Sequence, residues 1–159
     1  MKNTNEMKLY EVAEIQLTYS TNVKPSLRPK ITSSRDAFCI FRQTWDESKI
    51  GFIEQFRVLL TNRAQKVLGI VEISTGGISG TVADPKVIFG AALKAGASGL
   101  LMAHNHPSGN LAPSQSDIDL TKRMREGGKF LEIQVLDHQI VTTEGYYSFA
   151  DEGCYSPSR

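Results

Sequence analysis

Two of the three histidines in this chain, His104 and His106, are separated by one residue, and a carboxylate, Asp117, follows after ten intervening positions. On a strand, residues i and i+2 point to the same face, so both imidazoles would aim at one point. Two histidine nitrogens and one aspartate oxygen suit Zn²⁺, with three protein ligands and an open fourth position. A structural zinc is normally closed by four protein ligands. An open position marks a catalytic site, where bound water supplies hydroxide near neutral pH. The same mixed donor set accepts other divalent metals, and spacing does not choose among them. The Pro-Ser-Gly-Asn run at 107–110 turns the chain and would bring Asp117 back toward the imidazoles. Ser114-x-x-Asp117 also matches a helix capping box with Asp in place of Glu. The two roles are compatible, because a capped helix start would hold the carboxylate still.

Hydrolysis needs a base, and Glu54 is the candidate. In an expected strand at 52–60, one face reads Phe52, Glu54, Phe56, Val58 and Leu60. A single carboxylate interrupts an apolar face. Burial there would raise its pKa, which suits a general base. The competing reading is that Glu54 sits at a strand end and faces water. Glu72 and Glu132 are not excluded by pattern.

The elements that must position these residues follow from periodicity and turn chemistry. Ile15, Leu17 and Tyr19 alternate with polar residues, which predicts a strand ending near residue 20. Residues 21–30, with Pro25 and Pro29, read as linker or surface loop. Ser33 or Ser34 could cap a helix carrying Phe38, Phe41 and Trp45 on one side and stopping before Gly51. Strands at 52–61 and 66–74 around a polar turn predict a hairpin. Gly76, Gly77 and Gly80 mark a loop that could close over a site. Asp84-Pro85 opens a helix that Gly96 should end. The apolar run 98–103 fits a strand covered on both faces. Ser114 caps a helix expected to stop at Gly127-Gly128, and 132–142 contains one or two strands. The alternation predicts an α/β fold, a mixed sheet flanked by helices. Three segments are expected: an N-terminal strand and linker at 1–30, one domain at 31–150 and a polar tail at 151–159.

The chain has 159 residues, 40% of them hydrophobic and 22% charged, enough for a packed core. Eighteen basic against seventeen acidic residues give a net charge of +1, far from the balance of a dedicated nucleic-acid binder. No apolar run reaches membrane-spanning length and the start has no secretory h-region, so the expected location is the cytoplasm. Cys39 and Cys154 lie far apart, which excludes a disulfide scaffold and a cysteine-based zinc site. Cys39 is expected in the core of its helix.

Glu54, then His104-x-His106, then seven residues to Ser114 and two more to Asp117 resemble the signature of the JAB/MPN metalloproteases, the JAMM motif. The loop Ala-His-Asn-His-Pro-Ser-Gly at 103–109 resembles the RadC-like branch of that family. So do Pro113-Ser114, Leu136-Asp137-His138 and the Asn62-Arg63 turn. The resemblance covers about 31–149. It implies the JAB/MPN α/β sandwich, related to the cytidine deaminase fold. It also implies zinc held by His104, His106 and Asp117. Glu54 would activate water and carry the proton to the leaving amine, and the Ser114 hydroxyl would stabilise the oxyanion. The implied activity is a zinc-dependent peptidase or isopeptidase acting on a peptide or protein substrate. The deaminase motifs His-x-Glu and Pro-Cys-x-x-Cys are absent, as is the zincin motif His-Glu-x-x-His. RadC-like proteins often carry an N-terminal helix-hairpin-helix module, whereas the thirty residues before the matched region here read as strand and linker.

Two other functions stay open at this level. Basic residues at Lys24, Arg28, Lys30 and Arg35, and at Lys122, Arg123, Arg125 and Lys129, raise a weak association with DNA and a repair or mobile-element role. A scaffold for protein partners is the third, although it would need none of the five site residues. Asp137-His138 either orients a ligand from behind or is a structural pair at a strand end.

Overall fold

The computed structural model describes residues 11–76 and 82–153. Five strands form one mixed sheet in the order β2-β1-β3-β4-β5. They are β1 (Gln55–Thr61), β2 (Val67–Thr75), β3 (Gly99–Asn105), β4 (Gln134–Val141) and β5 (Tyr146–Ser148). The helices are α1 (Ser34–Thr44), α2 (Glu47–Ile50), α3 (Pro85–Lys94) and α4 (Gln115–Leu131). β1 runs antiparallel to both β2 and β3, β3 is parallel to β4, and β5 closes antiparallel on β4. Parallel neighbours need a crossover, and α4 is that crossover between β3 and β4.

Helices cover both faces of the sheet. One core joins Phe56, Val58 and Leu60 of β1 and Leu100 and Met102 of β3 to Ile88 and Ala92 of α3 and Met124 of α4. The other joins Leu59, Leu101 and Ala103 to Ala37 and Phe41 of α1, Trp45 and Ile50. All seven residues of β3 are buried, as expected of a strand covered on both sides. The two-residue period therefore sends His104 to the α3/α4 side and Asn105 to the α1/α2 side.

The hairpin, the Ser33 cap of α1, the Asp84 cap with Pro85 of α3, and Gly96 at φ 65° after α3 match the sequence expectations. Several expectations are corrected. Residues 11–20 form no strand, and Ile15 and Leu17 are exposed at 86% and 79%. Alternation alone makes no strand without a ladder; the Tyr19 hydroxyl donates to the Leu68 carbonyl of β2, but no ladder forms. Residues 52–54 precede β1, because the amides of Phe52 and Ile53 bond back to the Lys49 carbonyl and close the turn after α2. Cys39 is exposed: the buried stripe of α1 is Ala37 and Phe41, one turn apart, and Cys39 lies between them on the other side. Cys154 and most of the glycine loop, 77–81, lie outside the described residues.

Gly127-Gly128 does not stop α4, which continues to Leu131 and ends at Glu132 in the left-handed region. These glycines serve close packing. A Cβ at Gly127 would come within 2.9 Å of the Phe89 ring, and one at Gly128 would collide with the Ile133 carbonyl. Gly128→Ala should therefore destabilise the fold by about 1–3 kcal/mol, the usual effect of overpacking. Gly90→Ala, in α3 with nothing within 4 Å of the added carbon, should be neutral or stabilising by about 0.5–1 kcal/mol. Urea unfolding of the two variants checks both signs.

Candidate metal centre

The antiparallel register of β1 and β3 places the candidate base opposite the histidines. Phe56 pairs with His104, so continuing the ladder by two residues sets Glu54 against His106. Asn105 makes that continuation rigid although β1 has ended. Its side-chain oxygen accepts from the Gln55 amide at 2.7 Å, and its amino group donates to the carbonyls of Ile50 and Ile53, each at 2.8 Å. One fully buried side chain thus holds the peptide groups on both sides of Glu54. Glu54 itself is half-buried. Its ligand atom and those of His104 and His106 lie within 4.8 Å of one another.

Asp117 arrives from the other direction, on the first turn of α4. Ser114 caps the helix by accepting from the Asp117 amide at 3.1 Å, and Asp117 Oδ2 accepts from the Ser114 amide at 2.8 Å. This is a reciprocal capping box. It leaves Asp117 Oδ1 facing His104 Nε2 at 3.3 Å, while Oδ2 lies 3.8 Å from His106 Nε2. Burial opposes ionisation of Asp117, but a positive charge at His104 Nε2 and the Ser114 amide outweigh it and hold the carboxyl well below the usual carboxylate range. The cap and ligand roles coexist because they use different oxygens.

The hydrogen-bond network determines which nitrogens carry lone pairs. His106 Nδ1 lies 2.6 Å from the Asn110 carbonyl, which can only accept, so Nδ1 carries a proton and, in the neutral ring, Nε2 holds the lone pair. For His104 the assignment runs through three residues. Thr121 donates its hydroxyl to the Asp117 carbonyl at 2.7 Å and so accepts from His138 Nδ1 at 2.7 Å. His138 Nε2 then accepts from His104 Nδ1 at 2.8 Å. Burial pushes the His138 pKa well below its ordinary value, which keeps that ring neutral as this chain of bonds requires. His104 Nε2 is therefore also bare. It lies 3.0 Å from His106 Nε2. Two lone pairs and a carboxylate at this distance require a positive charge among them, a proton or a metal cation. Tetrahedral zinc with Zn–N of about 2.0–2.1 Å sets its ligand atoms about 3.3 Å apart. The separations of His104 Nε2 from His106 Nε2, 3.0 Å, and from Asp117 Oδ1, 3.3 Å, lie close to that value, so these donors fit a zinc-sized ion.

Ring packing steadies the histidines. His104 stacks on Phe56 at 5.9 Å and His138 on Phe149 at 4.8 Å, both nearly parallel. Two clefts meet at the site. One, of about 780 Å³, runs past Phe52, Glu54, His106 and Ser114, and the other, of about 380 Å³, past Glu54, His104, Asp117 and Arg123.

The structure thus brings together Glu54, His104, His106, Ser114 and Asp117. Sequence reasoning leaves Asn105 without a role and places Thr121 only in the inner stripe of its helix with Ile118 and Met124. Thr121 had a signal: it lies one helical turn after Asp117, on the same face. The pair Asp137-His138 divides. His138 orients His104, whereas Asp137 accepts from Ser148 Oγ at 2.7 Å and the Ala150 amide at 3.0 Å and ties β5 to β4. Its pKa is raised, chiefly by burial.

With fold and geometry in place, comparison with known proteins defines the class. The family described as RadC-like JAB domain matches residues 31–154, and the chain belongs to it. It is 45% identical over 126 residues to a UPF0758 protein of Flavobacterium johnsoniae, covering 79% of this chain and 54% of that protein. It is 36% identical over 134 residues to a UPF0758 protein of Desulfitobacterium hafniense, covering 84% of this chain and 58% of the relative. A UPF0758 protein of Porphyromonas gingivalis is 43% identical over 101 residues, 63% of this chain and 44% of the relative. The chain spans about half the length of the curated relatives it matches. Among the described residues, no helix is long and apolar enough to cross a membrane.

The hydrogen-bond chain behind His104 makes a prediction. His138→Ala should lower divalent-metal affinity about 10–100-fold, as loss of a ligand's outer partner typically does. Thr121→Val, which keeps the shape but removes the acceptor for His138 Nδ1, should move affinity in the same direction. Competition titration of zinc against a chelator measures both.

Proposed function

We propose that this protein is a zinc-dependent metallohydrolase of the JAMM type that cleaves an amide bond in a peptide or protein substrate. The observation that carries this reading is the convergence of two bare imidazole nitrogens and the Asp117 carboxylate beside Glu54. In this reading His104, His106 and Asp117 hold the metal. Bound zinc would supply Lewis acidity, polarising the scissile carbonyl and acidifying water.

The chain's own groups would do the rest. Glu54, held from behind by Asn105, would accept a proton from the attacking water. The same carboxylate would then hand the proton to the departing amine. Ser114 accepts from the Asp117 amide, and its own O–H remains to donate to the developing oxyanion in the cleft it lines. The larger cleft past Phe52 would hold the chain to be cut.

Elemental analysis of the purified protein should find about one zinc per chain, the occupancy of a single mononuclear site. His106→Ala and Asp117→Ala should each show a clear deficit, with the fold retained by circular dichroism. Full occupancy in either variant would remove that residue from the ligand set. Glu54→Gln should keep the metal and lose turnover in peptide and isopeptide cleavage screens, because an amide cannot take the proton. Asn105→Ala should also keep the metal, but lower kcat more than it raises KM. An unchanged kcat would show that Glu54 does not depend on Asn105.

A further inference from the structure

The two clefts that meet at the metal centre differ in chemistry. The one that runs past Asp117 also carries Asp119 and Arg123. The one that runs past Ser114 has no ionisable side chain beyond Glu54 and His106. It is lined instead by Phe52, from the turn after α2, and by Pro107, Ala112 and Pro113, from the loop between β3 and α4.

Phe52 is 61% exposed. Single apolar residues on a surface are common, and Phe130, at the other end of α4 from Asp117, is 88% exposed. Phe52 differs in two respects. It borders the metal centre, two residues before Glu54. Its backbone is also fixed. The Phe52 amide donates to the Lys49 carbonyl at 2.9 Å, and the Ile53 amide to the same carbonyl at 3.0 Å. Asn105 donates to the carbonyls of Ile50 and Ile53, on either side of Phe52. The buried side chain that sets Glu54 therefore also sets the backbone that presents this ring.

The loop from β3 to α4 is tied in its own way. The Gly109 amide donates to the His106 carbonyl at 2.9 Å, the Asn110 amide to Ser108 Oγ at 3.3 Å, and the Ala112 amide to Asn110 Oδ1 at 3.0 Å. The rings of Pro107 and Pro113 fix φ near its two ends. An apolar cleft whose backbone is set before a ligand arrives loses little entropy on binding. A charged side chain entering it would lose hydration and find no counter-charge outside the metal centre's own groups.

We propose that Phe52, with Pro107 and Pro113, selects a peptide that carries a bulky apolar side chain beside the bond presented to the metal centre. Phe52 acts on specificity and touches none of the reacting atoms. This inference rests on the amide-cleavage reading and narrows it: the substrate segment is apolar, not acidic or basic.

The zinc-loaded full chain is titrated by calorimetry with the hydroxamates of N-acetyl-leucine and N-acetylglycine. Both would anchor on zinc through the same group, and they differ only in the side chain. In parallel, a peptide library is digested and its cut sites are read by mass spectrometry. The variants are Phe52→Ala, Phe52→Leu and Phe130→Ala, each checked for zinc content and circular dichroism. Phe52 is exposed, so its replacement leaves the core untouched. The proposal expects wild type to bind the leucine hydroxamate about tenfold or more tightly than the glycine one, the scale of burying one apolar side chain. That preference should largely vanish in Phe52→Ala, return in part in Phe52→Leu and persist in Phe130→Ala. Library cuts should cluster beside large apolar residues in wild type and lose that clustering in Phe52→Ala. A leucine preference that depends on Phe52, with no peptide cut, supports the apolar cleft and removes the amide-cleavage reading. Equal affinity for the two hydroxamates, or a preference that survives Phe52→Ala, overturns the proposal and leaves the metal centre standing. A protein that takes up neither zinc nor hydroxamate overturns both.

Discussion

Electron-pair donors that cannot satisfy one another face a single point at the end of β3. His104 and His106 both donate through Nδ1, so in neutral rings both Nε2 atoms present lone pairs, and they meet at 3.0 Å beside the Asp117 carboxylate. Such an arrangement is repulsive unless a cation sits among the donors. Much of the surrounding architecture prevents the groups from relaxing away. The α4 capping box holds Asp117, the Asn110 carbonyl holds His106, and a wholly buried chain through His138 and Thr121 holds His104. A polar network of this kind is stable in a low-dielectric interior because each bond has both a donor and an acceptor.

The two faces of β3 divide the labour. Even-numbered residues look toward α4 and supply His104 to the candidate metal site. The odd-numbered Asn105 looks toward α1 and α2 and fixes the segment carrying Glu54. A candidate base on irregular backbone thereby gains the rigidity of a strand. The base could not lie inside β1 itself, because the position across from His104 is taken by Phe56, whose ring packs on that imidazole.

Much of the architecture follows from local rules. The α1 and α3 caps, the hairpin, the buried β3 and the α4 start are set by residues close in the chain, whose hydrogen bonds and burial periods are the same in any context. Where expectation and structure part, a distant contact decides. Gly127-Gly128 reads as a stop, yet the helix runs through because Phe89 and the Ile133 carbonyl need the room. The alternation at Ile15 to Tyr19 reads as a strand, yet the segment forms no ladder with the edge strand β2. Cys39 reads as core because apolar residues surround it in sequence, but the buried stripe of α1 is Ala37 and Phe41 and leaves Cys39 exposed.

The sequence by itself determined the donor set and its spacing. His104-x-His106 with Ser114-x-x-Asp117 lies within fourteen residues spanning one strand end, one turn and one helix start, so local geometry carries most of the design. Tertiary structure decided what came from farther away. The alignment of Glu54 with His106 depends on β1–β3 register, and the protonation pattern of His104 depends on His138, thirty-four residues later. The apolar cleft joins the turn after α2 to the loop that follows β3. These relations arise from strand pairing and helix packing, which no spacing within one segment can encode.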